Sequence, residues 1–396
     1  MNIDLPRSLA WLPRMAFAPP QMDARGDTLV VIFLRGAADV LNMVVPHGEA
    51  AYYKLRPSLG IPRPDATHLK TDERCIDLDG FFGLHPAMRP LLESWQSRQL
   101  AIVHACGAPD ESHSHFRAME LMERGVGDAR GPGSGWIGRH LASLDTGNAS
   151  PLRAIGLGYL PQRSLSGSVP VSALRSIADF HLGGDVRAVA QMRAALDSLY
   201  AANPAGQETL KILDILQKLD PAQPQPTGLA YPDSEFGLAL RQTAMLVKAE
   251  VGLEVAAIDL GGWDTHFAQS ALQAELIKDL SAGLAAFHAD LAAHLDKLTV
   301  VTMSEFGRRA FENGSLGTDH GHGSMMMLLG GHVNGGKVHG PWPGLADGQL
   351  VGPGDLAVTT DYRDVLAEIL GKRLNNPAAG AIFPEYSPLD RGILSA

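Results

Sequence analysis

Cysteine is nearly absent: Cys75 and Cys106 are the only two in 396 residues. A thiolate zinc site needs cysteines in closer groups, so any metal ion here must be held by imidazole and carboxylate. One disulfide between the two stays open on sequence grounds, and nothing else points to a disulfide scaffold. Long apolar runs are lacking as well, and no stretch is long enough to span a bilayer. Basic charge is in deficit, with 33 Lys and Arg against 43 Asp and Glu and a net charge of −10. That balance argues against a nucleic-acid surface, which requires a basic patch. There is no block of like charge, no heptad and no solenoid period. What is plentiful is apolar side chain: at 45% hydrophobic and 19% charged, the chain can bury a substantial core and is not globally disordered.

The unbroken run Thr28 to Leu34 (TLVVIFL) reads as a strand covered on both faces, as in parallel sheets. It ends in a Gly-containing turn with Asp39 and Asn42 at its tip. Residues 86–98 have helical spacing. Leu100 to Cys106 is a second strand, and a helix from about Ser114 to Arg124 follows a polar loop. This is a βαβ rhythm. Arg153 to Leu157 reads as a further short strand. Residues 183–250 are mostly helical with a Pro-rich break at 221–226, and read as an insertion. Val255 to Leu260 and Leu298 to Met303 are strands separated by a long amphipathic helix, 270–296. Met325 to Leu329 is another core strand. A Gly-rich, hairpin-like segment near 330–340 and a helix capped by Asp361 close the chain. The expectation is an α/β fold with a central, mostly parallel sheet flanked by helices. It occupies residues 28–396 as one domain, with the helical insertion at about 183–250 and a separate N-terminal segment, 1–27. In that segment Ser8 to Ala18 (SLAWLPRMAFA) ends in a small-x-small tripeptide like that cut by signal peptidase, although Pro13 and Arg14 interrupt its apolar stretch.

The ends of two apolar runs carry the chemistry. Val255 to Leu260 leads into GGWDTH, with Asp264 and His266. Leu298 to Met303 leads into a loop holding Glu305, Asp319, His320 and His322. Mixed imidazole and carboxylate suit zinc, manganese or iron, whereas an all-oxygen set suits magnesium or calcium. Zinc is the first expectation. Asp264 and His266, like His320 and His322, are two apart and on an extended segment face the same side. Asp319 could ligate directly or hold the far nitrogen of a histidine. Asp39 is a candidate third arm of the metal site. The competing reading is a hydrogen-bonded His–Asp network that closes a sheet edge.

Ser112 and Ser114 precede a probable helix, where the positive N-terminal field favours an anionic substrate and an activated hydroxyl. Ser114 is the preferred nucleophile, and the plain alternative is an N-cap. Arg308 is the candidate for binding a substrate oxyanion. His113 and His115 are expected to line the pocket.

The segments FLRGAADVLNMVVP, SHSHFRAMELMERG, GWIGRHLAS, GGWDTH, SEFGR, TDHGHGSMMMLLGG and GGKVHGPWPGL resemble, in order, the bacterial family filed as domain of unknown function 1501. The resemblance runs from about residue 28 to 371. It implies the alkaline phosphatase-like fold of the sulfatase and phosphatase superfamily, with metals at strand ends. It also implies an Asp after the first strand (Asp39), a nucleophile at a helix start (Ser114 or Ser112), Asp264 and His266 as an Asp–His element, and His320 or His322 as the last histidine. Phe306 stands where that superfamily has a metal-binding His, so either one ion is bound or a second is held differently. Members often carry a twin-arginine export signal, which implies a periplasmic or secreted protein; a complete N-terminus as it stands would imply the cytoplasm.

The expected function is a metal-dependent hydrolase of phosphate or sulfate esters that uses a serine nucleophile on a small anionic ester. The alternative is a non-catalytic exported protein that binds a ligand or partner at a degraded site of this kind.

Overall fold

Every residue of Thr28–Leu34 is buried, and the run divides by alternation. Val30, Ile32 and Leu34 enter one apolar layer, while Leu29, Val31 and Phe33 enter the other. That two-sided burial is why the run has no polar alternate positions. Each fully buried side chain of this kind is worth roughly 1.5–3 kcal/mol. One layer is completed by helices Glu235–Lys248 and Gln269–Asp290 and by Met88, Leu91 and Trp95. The other is completed by helices Trp136–Ser143 and Tyr362–Lys372.

The computed structural model describes residues 27–158, 160–177, 186–200, 203–216, 219 and 230–395. The export-signal reading of Ser8 to Ala18, residues 183–185 of the insertion and the Pro-rich break at 221–226 lie outside the described residues. In chain order the strands are β1 (Thr28–Leu34), β2 (Val44–Val45), β3 (Ile76–Asp77), β4 (Gly83–Leu84), β5 (Leu100–Gly107), β6 (Ala154–Leu157), β7 (Ser172–Leu174), β8 (Val255–Leu260), β9 (Leu298–Met303), β10 (Ser324–Gly330), β11 (Val338–His339) and β12 (Thr360–Asp361). Among the described residues nine of them form the main sheet, ordered β11-β5-β10-β9-β1-β8-β6-β7 with β12 beside β5. A small antiparallel sheet, β2-β4-β3, packs nearby. The fold is therefore a mostly parallel central sheet flanked by helices.

One strand breaks the parallel pattern, and it positions the site. β10 runs antiparallel to both β9 and β5, whereas β1 pairs in parallel with β8 and β9. The beginning of β10 therefore lies at the same sheet edge as the ends of β1, β5, β8 and β9. The Gly-rich segment after β10 is not a hairpin: β11 turns away from β10 and pairs in parallel with β5. Residues 86–98 are helical in two parts, a 3-10 turn Pro86–Leu91 and an α-helix Leu92–Gln96. Pro90 lacks the amide hydrogen that a continuous α-helix would use.

Candidate metal centre

Five segments reach that shared edge. They are the turn after β1, the loop after β5 leading to helix His115–Arg124, GGWDTH after β8, SEFGR after β9, and TDHGHG before β10. Two of them meet backbone to backbone. Gly36 has a φ of 114°, and a Cβ there would lie 2.6 Å from the Asp264 amide nitrogen, so only glycine allows the β1 turn to touch GGWDTH.

The side chains then converge on one point. His115 Nε2 is 2.9 Å from His320 Nε2 and 3.5 Å from Asp264 Oδ1. His266 Nε2 is 3.0 Å from the same His320 nitrogen and 3.1 Å from the same Asp264 oxygen. The shared His320–Asp264 edge is 3.2 Å. The ligand atoms of His115, Asp264 and His320 all fall within 4.8 Å of one another. Ligands held about 2.0–2.2 Å from one ion have mutual separations of this order.

The far side of each ring assigns its proton. His115 Nδ1 lies 2.7 Å from Glu305 Oε1, His266 Nδ1 lies 3.1 Å from Asp319 Oδ1, and His320 Nδ1 lies 3.0 Å from the carbonyl of His113. All three partners are acceptors, so each neutral ring carries its proton on Nδ1 and turns the Nε2 lone pair inward. Three lone pairs and a carboxylate oxygen facing one another repel unless a cation lies between them. The donor chemistry thus fits a divalent ion, with His115, Asp264 and His320 as the residues that would hold it and His266 beside Asp264 and His320.

Electrostatics support the arrangement. Burial works to raise the Asp264 carboxyl, but hydrogen bonds from Arg308 and His320 overrule it and hold the group down at about 2. The hydrogen bond to Glu305 raises His115, while burial lowers His320. The bond from Asn313, followed by that from His266, lowers Asp319. The site opens to solvent on one side only. The Asp264 side chain is 49% exposed, whereas Glu305 and Arg308 are fully enclosed.

Several residues do something other than the sequence suggested. Glu305 lies behind the site. Its Oε1 takes both the His115 proton and the Gly36 amide at 2.8 Å, so it orients a ligand instead of serving as one. Asp319 plays the same part for His266. Arg308 is a scaffold and not an oxyanion binder, because its guanidinium is spent on the carbonyls of Ala37, Thr318, Gly36 and Trp263 and on Asp264 Oδ1. Asp39 is not brought to the cluster. Its Oδ2 accepts from Arg56 at 2.5 Å and from Gln269, in a pair with no side-chain exposure on either partner. His322 is also outside the converging set. His320 is held in a bridge to Arg308, and the chain then bends instead of staying extended, which breaks the two-residue facing rule. His322 sits half-buried, and burial lowers its pKa against the opposing effect of Glu111 and Asp355.

The member of the cluster that the sequence marked only as a pocket-lining residue is His115. The alternation Ser-His-Ser-His was the available signal, but sequence does not tell which histidine turns inward. The backbone decides it: His113 takes a left-handed φ of 51°, which presents its carbonyl to His320 and starts the helix at His115. Ser114, between them, is the N-cap residue and makes no capping hydrogen bond with its side chain. Ser112 is exposed and donates to Asp110 Oδ2 at 2.5 Å. Phe306 packs its ring 5.0 Å from that of His115 and 5.1 Å from that of His320, walling the site with a surface that offers no ligand.

The family described as protein of unknown function (DUF1501) matches residues 27–376. The chain belongs to this family. No curated protein matches it. Among solved structures it is similar to a protein in the alkaline phosphatase superfamily from Vibrio parahaemolyticus, at 10% identity and a TM-score of 0.35, covering 78% of this chain and 62% of that one. This chain thus spans less than two thirds of that protein's length. A sulfatase, PsFucS1 from Pseudoalteromonas sp., matches at 10% identity and a TM-score of 0.36, covering 94% of this chain and 72% of that one. Alkaline phosphatase from the Antarctic bacterium TAB5 matches at 7% identity and a TM-score of 0.32, covering 78% and 91% respectively.

Proposed function

We propose that this protein is a metal-dependent hydrolase of phosphate or sulfate esters, with zinc as the ion and Ser114 as the nucleophile. The observation that carries the reading is the inward convergence of the His115 and His320 lone pairs on the Asp264 carboxylate, with His266 against His320 and Asp264 and each ring locked by an acceptor behind it. A bound divalent ion supplies Lewis acidity toward an ester oxygen there.

The residues of the chain supply the rest. Ser114 is covalently next to His115, at the start of a ten-residue helix whose N-terminal field favours an anion, which supports it as the nucleophile. The Ser114 oxygen forms a bond to phosphorus or sulfur as the ester C–O oxygen departs, and the serine proton leaves with it as the alcohol. Water then cleaves the serine ester, restoring the hydroxyl and releasing phosphate or sulfate. Glu305 and Asp319 keep the His115 and His266 rings fixed throughout, and Arg308 keeps Asp264 ionised.

Purification without chelator, elemental analysis and assay of aryl phosphates and sulfates test the reading. We expect about one zinc per chain and turnover that falls by roughly a thousandfold or more in Ser114→Ala with the metal retained. Ser112→Ala should cost under about fivefold. Wild-type turnover in Ser114→Ala removes the nucleophile assignment, and metal-free protein removes the site. The non-catalytic reading is favoured by the Phe306 ring beside the ligands; it gains if the metal-loaded protein turns over no ester.

A further inference from the structure

Helix Gln269–Asp290 begins three residues after His266, and its first turns carry Leu272, Glu275, Leu276 and Asp279. These stand at i, i+3, i+4 and i+7 and share one face. The face forms one wall of a cavity of about 840 Å³, and Tyr231 to Ser234 form the other. Asp264 and Thr265 also line the cavity, so it shares one residue, Asp264, with the candidate metal centre.

Its lining has two characters. Phe267 is 64% exposed and Leu272 47% exposed, large apolar side chains left in water at the mouth of a concavity. Apolar surface of this kind beside a polar reacting centre marks a place for an organic group. The charge is one-sided: Asp233, Glu275 and Asp279 line the cavity along with Asp264, and Lys278 is the single cationic side chain among its described lining residues. Lys278 is itself exposed and lies 3.8 Å from Glu275. A negative wall repels an anionic leaving group and attracts a cationic one.

We infer that this groove receives the alcohol portion of the substrate and selects alcohols that are apolar and either uncharged or cationic, against anionic ones such as nucleotides or polysulfated sugars. The inference rests on the hydrolase reading for the position of the reacting group. Phe267, just before the helix, and Leu272 and Leu276 on its face supply apolar contact, and Glu275 and Asp279 sit within the same stripe to meet a positive charge. Thus one helix that is short of apolar partners on its outer face sets the specificity of the neighbouring ion site.

The test uses the full zinc-loaded chain and benzylphosphonates, in which carbon replaces the ester oxygen. Three differ only at the para position: (trimethylammonio)methyl, its uncharged isostere neopentyl, and carboxymethyl. Calorimetry should show the cationic and uncharged compounds binding about tenfold or more tighter than the carboxylate. Glu275→Lys should cut the cationic-to-carboxylate affinity ratio by about fivefold, and Phe267→Ala should weaken the cationic and uncharged compounds by about threefold or more. Equal affinities for all three, a ratio unmoved by Glu275→Lys, or no binding of any of them overturns the inference. The two readings separate cleanly: the expected binding order without turnover of any ester removes the catalysis and leaves the groove, whereas turnover with equal affinities removes the groove alone.

Discussion

Replacing Glu305 with Gln isolates the contribution of a residue that stands behind the candidate metal ligands. Glu305 is 1% exposed, and its Oε1 accepts from His115 and from Gly36 at 2.7 and 2.8 Å. Gln is isosteric, and its amide oxygen can accept both bonds while its nitrogen faces Ser304, which lies 3.2 Å from the second carboxylate oxygen. Shape and hydrogen-bond count survive, and only the charge is lost. The hydrogen bond to Glu305 is the largest influence raising His115 and the carboxylate charge adds to it, so removing the charge makes Nε2 a poorer donor. Losing a partner of this kind typically weakens metal affinity 10–100-fold, or about 1.4–2.7 kcal/mol. Glu305→Ala should be worse on a second axis, since it strands a buried ring N–H and a backbone amide at about 1–3 kcal/mol of stability each. The assay is competition for zinc against a chelator of known affinity, with thermal melting run alongside. A zinc affinity for Glu305→Gln within about threefold of wild type would refute the claim that the Glu305 charge strengthens His115 as a donor.

Asp39→Asn separates architecture from chemistry. It leaves the Arg56 guanidinium buried without its counter-charge, in a pair with no side-chain exposure, and should cost about 3–5 kcal/mol in urea unfolding with zinc content unchanged. Loss of zinc at preserved stability would return Asp39 to the ligand set. Acid should destabilise the fold through His104 and His140, both 2% exposed and both lowered by burial from 6.5 to about 4. Between those values the unfolded chain binds protons that the folded chain does not, so stability falls as the pH drops from 6.5 towards 4 and is indifferent above that window. From pH 7 to pH 5 the loss is on the order of 2 kcal/mol for each histidine. His104 shows the cause: its Nδ1 accepts the Ala105 amide and its Nε2 donates to the Val44 carbonyl, leaving no place for a second proton. Imidazole NMR signals from these two rings that are already in the charged form at pH 5 in folded protein would contradict this.

Much of the fold was legible because burial on both faces writes itself into composition. Thr28–Leu34, Val255–Leu260 and Leu298–Met303 are strands with the bounds their apolar runs suggested. The site was legible as a neighbourhood for a similar reason: carboxylates and imidazoles immediately after buried strands have few places to go except the edge of the sheet. Asp264, His266, Glu305, Asp319 and His320 do meet there.

Roles within the neighbourhood were set elsewhere. Sequence spacing cannot distinguish a ligand from the group behind it, because that depends on which atoms face the same point after the loops have packed. Glu305 and Asp319 lie one ring away from the point where the imidazoles meet, Arg308 is consumed by five acceptors, and Asp39 is claimed by Arg56 from seventeen residues downstream. His115 joins the cluster because His113 takes a left-handed turn and β10 runs against its neighbours, which brings His320 to meet it. What the amino-acid order determined alone was the inventory: which runs are buried, and which donor atoms follow them. The pairing of those donors is a long-range property, fixed by strand direction and backbone contact between segments far apart in the chain, and it became definite only in the folded state.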